Sequence, residues 1–385
     1  MQQIEIEKGR LLQMQEALLA WFEKNMRRLP WREEPTPYHV WVSEIMLQQT
    51  RVEAVKGYYA RFLEKLPEVR NLAEADEDGL LKLWEGLGYY NRVRNMQKTA
   101  RTVVEKYDGQ FPPDYELLLT LSGIGSYTAG AVASIAYGIP VPAVDGNVLR
   151  VITRICADKT DITKQSFKKE MEEILKEVMP QDKPGAFNQA LMELGATVCV
   201  PNGPARCREC PVMPYCEACR LGRTEEFPVK SPKKARVIEE KTVFLIRDGA
   251  YTALTKRAEE GLLAGLYEFP NVEGYLEEKE AVDYLRQQGF DSMRIEKLSG
   301  AKHIFTHREW HMRGYLVRIA EQQEVSAKKE LPRSAGMDER YVFATVEEME
   351  EVYPVPSAFS AYKKQLRTLQ GVVKRKNRPK EWIEE

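Results

Sequence analysis

Cys199, Cys207, Cys210, Cys216 and Cys219 crowd one short segment, and Cys156 stands apart. The opening stretch, Met1 to Arg10, is charged and lacks the apolar core of a secretory signal. No apolar run is long enough to cross a bilayer. A soluble cytoplasmic protein is therefore expected, and in a reducing compartment such thiols do not form a disulfide framework. They are expected to gather around a metal, which obliges the chain on either side to bring them together. The spacing reads C-x7-C-x2-C-x5-C from Cys199 to Cys216. Four thiolates hold either zinc or a [4Fe–4S] cluster. Structural zinc commonly uses two well-separated C-x2-C pairs, which is not cleanly the case here. Cys219 forms a second close pair with Cys216, so spacing alone leaves both open.

The segment closes a helical region. From Gly9 to about Leu194, apolar residues such as Leu11, Leu12, Met14, Ala17, Leu18, Trp21 and Phe22 recur near a helical period. Breaks bearing Pro or Gly interrupt the pattern at Leu29-Pro30-Trp31, Leu66-Pro67, Gly86 to Gly88, Phe111 to Pro113, Gly138 to Pro142 and Pro180 to Gly185. That predicts many short helices, not alternating βαβ units. Beyond Arg220 the texture changes. Thr242 to Ile246 predicts a strand, Asp248-Gly249 a turn, Glu277 to Gln288 a helix, and Trp310 to Ile319 another strand. The chain has 385 residues, enough for two or three domains. The expected division is a helical domain over 1–220, a linker over 221–240, an α+β domain over 241–366 and a basic tail over 367–385. Lys374 to Lys380 in that tail is read as solvated, with DNA contact as the alternative.

Lys and Arg nearly balance Asp and Glu, giving a formal net charge of -1. Bulk charge therefore does not favour a nucleic-acid partner, and any such face must arise from local clustering.

Two carboxylates stand out. In HVWVSEIMLQQT (His39 to Thr50), a helix would place Glu44 on the face of Val40, Trp41 and Leu47. Desolvation there favours the protonated acid. In PAVDGNVLR (Pro142 to Arg150), Asp145 precedes an apolar-periodic helix and suits its N-cap, where the helix dipole favours the anion. One carboxyl pushed towards neutral and one held charged can divide acid and electrostatic roles in glycosidic chemistry. Between them lies LSGIGSYTAGA. Gly123 and Gly125 bracket Ile124 in a turn between helices, where exposed N–H groups can hold a phosphate oxygen. Asp145 follows Tyr127 by 18 positions, beyond an intervening helix.

A Gly-Ile-Gly hairpin between helices, an Asp beyond the next helix and four cysteines after the last one resemble the endonuclease III superfamily. LPWR (Leu29 to Arg32), WVSEIMLQQT (Trp41 to Thr50), WEGLGYY (Trp84 to Tyr90) and VDGNV (Val144 to Val148) resemble the adenine DNA glycosylase family, the MutY type, over nearly the whole chain. The resemblance implies removal of adenine mispaired with 8-oxoguanine or guanine from double-stranded DNA, by a monomer associated with a bacterial nucleoid. It makes Glu44 the general acid that protonates adenine at N7, and Asp145 the stabiliser of the cationic sugar, with Tyr127 and Asn147 in support. Gln49 and Tyr89 match residues that wedge into the duplex, with Thr50 and Leu87 beside them among the DNA contacts. Arg32 and Gln189 match the adenine pocket. Cys199, Cys207, Cys210 and Cys216 match the ligands of a [4Fe–4S] cluster, leaving Cys219 as a non-ligand. Family members that also cut the strand carry Lys where Tyr127 stands, so a monofunctional glycosylase is implied. The family usually has six residues between the first two cysteines; here Val200 to Arg206 make seven.

LLAGLYEFP (Leu262 to Pro270) resembles the Nudix-like domain with which this family recognises 8-oxoguanine. The glutamate-rich metal helix of Nudix hydrolases is absent from Glu273 to Phe290, so this half is expected to bind and not hydrolyse. His303, His307 and His311 are evenly spaced, but their surroundings read as a loop entering a strand and not as a metal-binding helix. Phe305-Thr306-His307 instead matches the family's Phe-Ser-His lesion-sensing loop. Two rivals stay in view: a glycosylase of the same superfamily acting on thymine mismatches or oxidised pyrimidines, and a non-catalytic, cluster-bearing DNA-binding or redox-sensing protein. A zinc protein with an α+β appendage is a third.

Overall fold

The structure, a computed structural model, describes residues 2–232, 235–290, 293–319 and 340–369. The expected basic run Lys374 to Lys380 lies outside them. The chain forms two compact units: Met1–Ala75 with Asn91–Lys233, and Asp76–Tyr90 with Lys234–Glu385. One segment thus crosses the division expected at the linker, since Asp76–Tyr90 groups with the second unit.

The first unit is helical throughout. Leu11, Met14, Leu18 and Phe22 bury one stripe against Val148, Val151, Ile152 and Ile155 of the Gly146–Cys156 helix and Phe187, Leu191 and Leu194 of the Pro184–Thr197 helix. The Pro37–Leu47 helix is different. Thr36 caps it, accepting from the His39 N–H, and Pro37 opens it. It is buried over Val40 to Met46, so Glu44 lies in a helix enclosed on every side and not on one apolar face. The hairpin forms as expected between Tyr115–Leu119 and Ser126–Tyr137. Gly123 sits at φ +75, and a Cβ there would meet Asn95 Cβ at 2.8 Å, so the turn requires glycine on both counts.

The second unit is built on a sheet of β1 (Val237–Asp248), β2 (Tyr251–Lys256), β3 (Tyr267–Glu268), β4 (Asn271–Glu273), β5 (Met293–Ile304), β6 (Arg308–Ile319) and β7 (Tyr341–Ala344). Its order is β3-β2-β1-β6-β5, with β4 on β1 and β7 on β2. β1 and β6 are parallel, Val243 opposite Gly314, and the other pairs are antiparallel. Strand alternation splits the core: Val243, Leu245, Trp310, Met312 and Leu316 pack on one face, Phe244, Ile246, Tyr315 and Val317 on the other. The Glu278–Gln287 helix covers the second face through Ala281 and Leu285.

Two expectations change. β1 begins at Val237, before the β-rich run, because its first residues pair with the distant Arg308 to Trp310. The stretch before His307 is also a strand: β5 and β6 pair from Ile304↔Glu309 outwards, leaving Phe305, Thr306 and His307 at the tip of a hairpin. No helix among the described residues is long and apolar enough to cross a membrane.

Candidate active site

In the first unit, an open cavity of about 640 Å³ is lined by Arg32, Glu44, Gln49, Thr50, Tyr127, Asp145, Asn147 and Gln189. The residues proposed from sequence for acid, anion and base pocket thus converge. Gly123 and Gly125 stay in their hairpin, away from this lining. Leu87, Tyr89, Phe305, Thr306 and His307 belong to the second unit.

Glu44 accepts a short hydrogen bond from the Tyr127 hydroxyl, which also approaches Met192 Sδ at 3.8 Å. Burial drives the Glu44 carboxyl up to about 7; the Tyr127 bond opposes this, Asp145 adds to it, and Arg32 lowers it. A carboxyl in this range is half protonated near neutrality and still a competent donor. Tyr127 is itself pushed far above its ordinary value by burial, then by Glu44 and Asp145, so it stays a neutral donor.

Asp145 is the N-cap of the Gly146–Cys156 helix. Its Oδ1 accepts from the N–H of Asn147 at 2.9 Å and of Val148 at 2.8 Å, and its Oδ2 from Asn147 Nδ2 at 2.6 Å. The dipole argument alone predicts a comfortable anion. The structure adds a burial cost that outweighs it: the Asp145 carboxyl is raised by burial, against the lowering by Val148, Asn147 and the charge of Arg150. Both carboxyls are therefore raised, for the same first cause.

Several supporting groups carry no local sequence signal. Arg150 donates to Asn147 Oδ1 at 2.9 Å, to the Gly195 carbonyl at 2.8 Å and to the Cys199 carbonyl at 2.9 Å. Buried Asn188 accepts from the Ala143 N–H at 3.0 Å and donates to the Val141 carbonyl at 2.9 Å, fixing the approach to Asp145. Glu193, 1% exposed, receives Arg27 at 2.6 and 3.0 Å and Arg32 at 2.9 Å. Burial alone would raise the Glu193 carboxyl, but the two guanidiniums hold it below its ordinary value. Arg32 then donates to Gln189 Oε1 at 3.0 Å. A charged frame thus sets the direction in which the Gln189 amide is presented. Of the polar residues on Pro184–Thr197, the resemblance to the family named only Gln189.

Gln49, just past the Pro37–Leu47 helix, is exposed and adopts φ 59. Tyr89 adopts φ 49. Left-handed backbone is uncommon for either residue type and marks a held conformation. In the second unit the Tyr89 hydroxyl makes a short hydrogen bond with Thr306 Oγ1. Phe305 packs edge-on against Trp310 and His303, and His311 approaches Glu309, so His303 and His311 are engaged with separate partners in the hairpin.

All six cysteines are free thiols. Cys199, Cys207, Cys210, Cys216 and also Cys219 line one pocket with an apolar wall of Val151, Ile155, Leu194, Val198 and Val212. Burial pushes the Cys210 thiol up to about 12 and the Cys216 thiol up to about 11, and the neighbouring sulfurs add to it. Against that, N–H groups point at sulfur: Val212 at Cys210, Cys219 at Cys216, and the Arg154 guanidinium at Cys199 Sγ, 3.2 Å away. Donors of this kind favour thiolates around a cationic inorganic group. Among the described residues, no three or more Cys, His, Asp or Glu side chains converge as one ion requires. Several thiols lining one pocket are the donor set that an iron–sulfur cluster takes.

Two family models match the chain: HhH-GPD superfamily base excision DNA repair protein over residues 42–177, and NUDIX domain over residues 242–365. The chain is 35% identical over 348 residues to the adenine DNA glycosylase of Mus musculus, covering 75% of this chain and 67% of that one. It is 33% identical over 303 residues to the adenine DNA glycosylase of Buchnera aphidicola subsp. Acyrthosiphon pisum, covering 78% and 85%. Among solved structures, a thermostable thymine-DNA glycosylase superposes with a TM-score of 0.51 at 27% identity, over 55% of this chain and 98% of that one.

Proposed function

The chain belongs to the adenine DNA glycosylase family, and from that premise we propose that it is a monofunctional base excision repair enzyme removing adenine opposite 8-oxoguanine or guanine. The observation that carries the reading is the shared cavity of Glu44, Tyr127 and Asp145, with Gln189 and Arg32 on its wall. Adenine is flipped from the stack into that cavity, at a cost of roughly a few kcal/mol. Gln49, held in left-handed backbone, fills the space that the base leaves. Arg32 and Gln189 hold the base edge. Glu44 delivers its proton to N7 and makes adenine a better leaving group. Tyr127 keeps the carboxyl aimed and supports the carboxylate that results. As the glycosidic bond breaks, positive charge grows on the sugar and Asp145 faces it, its oxygens fixed by Asn147 and Val148. Water completes hydrolysis and an abasic site remains. Position 127 offers a phenol and no amine, which supports a reaction that stops there. The second unit reads the opposite base through Phe305, Thr306 and His307. The enzyme acts as a monomer in the cytoplasm of a bacterial cell.

Cys199, Cys207, Cys210 and Cys216 would hold a [4Fe–4S] cluster, which when bound would tie the Val198–Arg220 region together and supply one-electron chemistry.

Single-turnover incubation with a duplex carrying one A opposite 8-oxoguanine tests the reading. Alkali-dependent breaks at that adenine are expected, and Glu44→Gln should lower the rate by roughly a hundredfold or more. Breaks without alkali would overturn the monofunctional reading. Intact DNA from the cluster-loaded wild type would overturn the enzymatic one and favour a binding or sensing role. Cleavage at T opposite G instead would favour the activity named for the thymine-DNA relative.

A further inference from the structure

The first turn of a helix is a poor place for a cation, because the helix dipole already puts positive charge there. Arg92 is nevertheless the second residue of the Asn91–Tyr107 helix, whose first turn holds no acidic residue to balance it. Its guanidinium is directed at another helix. Arg92 Nη1 donates to the Ile45 carbonyl at 2.6 Å and to the Gln48 carbonyl at 2.8 Å, and it reaches the Met46 carbonyl at 3.3 Å. These carbonyls close the Pro37–Leu47 helix, which has no basic residue in its own last turn. The cation that a helix C-terminus favours is thus supplied from outside, by a residue 44 positions beyond Gln48.

The Gln48 carbonyl is the one that bears on the cavity. It belongs to the peptide joined to Gln49, so holding its oxygen fixes the plane from which the Gln49 φ angle turns. That angle is φ 59, in a left-handed region that glutamine rarely enters. Gln49 is exposed and stands in the cavity lining, whereas Arg92 stands outside it. The Thr50 hydroxyl adds only a long contact to the same oxygen, at 3.4 Å.

We propose that Arg92 is a positioning residue for adenine removal, which acts by holding Gln49 in the conformation that fills the stack. The inference rests on the excision reaction proposed above. Without the guanidinium, the Gln48–Gln49 peptide is free to rotate, and Gln49 relaxes to ordinary backbone with its side chain turned away. The effect falls on extrusion of the base and not on proton transfer. Glu44 lies a turn earlier, in the enclosed part of its helix, with the Tyr127 hydroxyl as its own partner.

The test is single-turnover excision of adenine opposite 8-oxoguanine by the full chain as wild type, Arg92→Met, Gln49→Ala and the pair. Arg92→Met should lower the wild-type rate roughly tenfold. On top of Gln49→Ala it should cost less than about twofold, because a side chain already removed cannot be misplaced. The pH dependence of the rate should keep its midpoint. Equal factors in both backgrounds, or a displaced midpoint, overturn the inference, since Arg92 would then act through the fold at large or through Glu44. If Arg92→Met does not fold, Arg92→Lys takes its place in the cycle under the same criterion, with a compact ammonium instead of the guanidinium. A wild type that leaves the adenine in place overturns the excision reading instead, and hydrogen exchange on the free protein then decides. The Thr50 N–H donates to the Leu47 carbonyl at 3.2 Å. Its exchange should quicken roughly tenfold or more in Arg92→Met, with Val40 to Glu44 unchanged. Unchanged exchange at Thr50 overturns the inference.

Discussion

Glu44 weakens the fold at the pH where it works. It is buried with the Tyr127 phenol as its donor, and its carboxyl stands at about 7 in the folded chain against an ordinary 4.5. The folded state therefore binds this proton more tightly than the unfolded state. The resulting stability is fully present below 4.5 and is lost as pH rises through about 7. The loss amounts to roughly 3 kcal/mol, taking about 1.4 kcal/mol per unit. Glutamine keeps the shape, accepts the Tyr127 proton and has no charge to desolvate. Glu44→Gln is thus expected to melt higher than wild type at about pH 8 and together with it near pH 4.5. Equal melting temperatures at the higher pH would mean that the carboxylate is solvated better than its burial suggests. The same residue was legible in the sequence, because an acid among Val40, Trp41 and Leu47 is out of place. Asp145 was legible as a cap. The Arg27–Glu193 pair was not: its members lie 166 positions apart, Arg27 in the loop after the Gln15–Asn25 helix and Glu193 within the Pro184–Thr197 helix.

Among elements, the Pro184–Thr197 helix organises the site. Asn188 pins the chain before Asp145, Gln189 and Glu193 enter the cavity wall, and Gly195 lets the Gly146–Cys156 helix approach. Helical periodicity predicts the element but not this crowding, since a glycine near a helix end is usually read as a stop signal. Its reason is tertiary: a Cβ at position 195 would stand 2.8 Å from Asn147 Cβ and 3.3 Å from its carbonyl oxygen. Gly195→Ala sets two effects against each other. Helix propensity favours alanine by about 1 kcal/mol, and overpacking costs about 1–3 kcal/mol. The net change in stability is therefore expected to be small, while Asn147 is displaced from Asp145 Oδ2. Single-turnover excision should fall by roughly tenfold with little change in DNA affinity, because the lost contact acts on the developing cation. A variant with wild-type rate and a lower melting temperature would assign Gly195 to packing alone.

At the scale of the molecule, the linker after Arg220 was visible as a change of texture, whereas the attachment of Asp76–Tyr90 to the second unit was not. That segment reads as one more helix and turn of the helical half, and the HhH-GPD match runs through it. Its partners are far away in sequence. Lys82 donates to the Met349 carbonyl at 2.8 Å and the Tyr353 carbonyl at 3.2 Å, Glu85 receives Lys363 at 2.8 Å, Asp78 receives Lys256 at 2.8 Å, and Tyr89 meets Thr306. Burial lowers the Lys82 ammonium, opposed by Glu85, so this cation depends on the acceptors around it. A chain ended at residue 232 keeps the helical core of Leu11 to Leu194 but deletes every one of those partners. Local stability should fall only in the segment that lost them. Hydrogen exchange on the truncated chain is expected to quicken over residues 76–90 by roughly tenfold or more, which corresponds to at least about 1.4 kcal/mol, with helices such as Gly146–Cys156 unchanged. In the full chain, Lys82→Met should reproduce part of that increase, since it removes two of those contacts while keeping the apolar stem. Unchanged exchange over 76–90 after truncation would place the stability of the segment in the helical unit. A uniform increase across all helices would mean that the two units unfold as one.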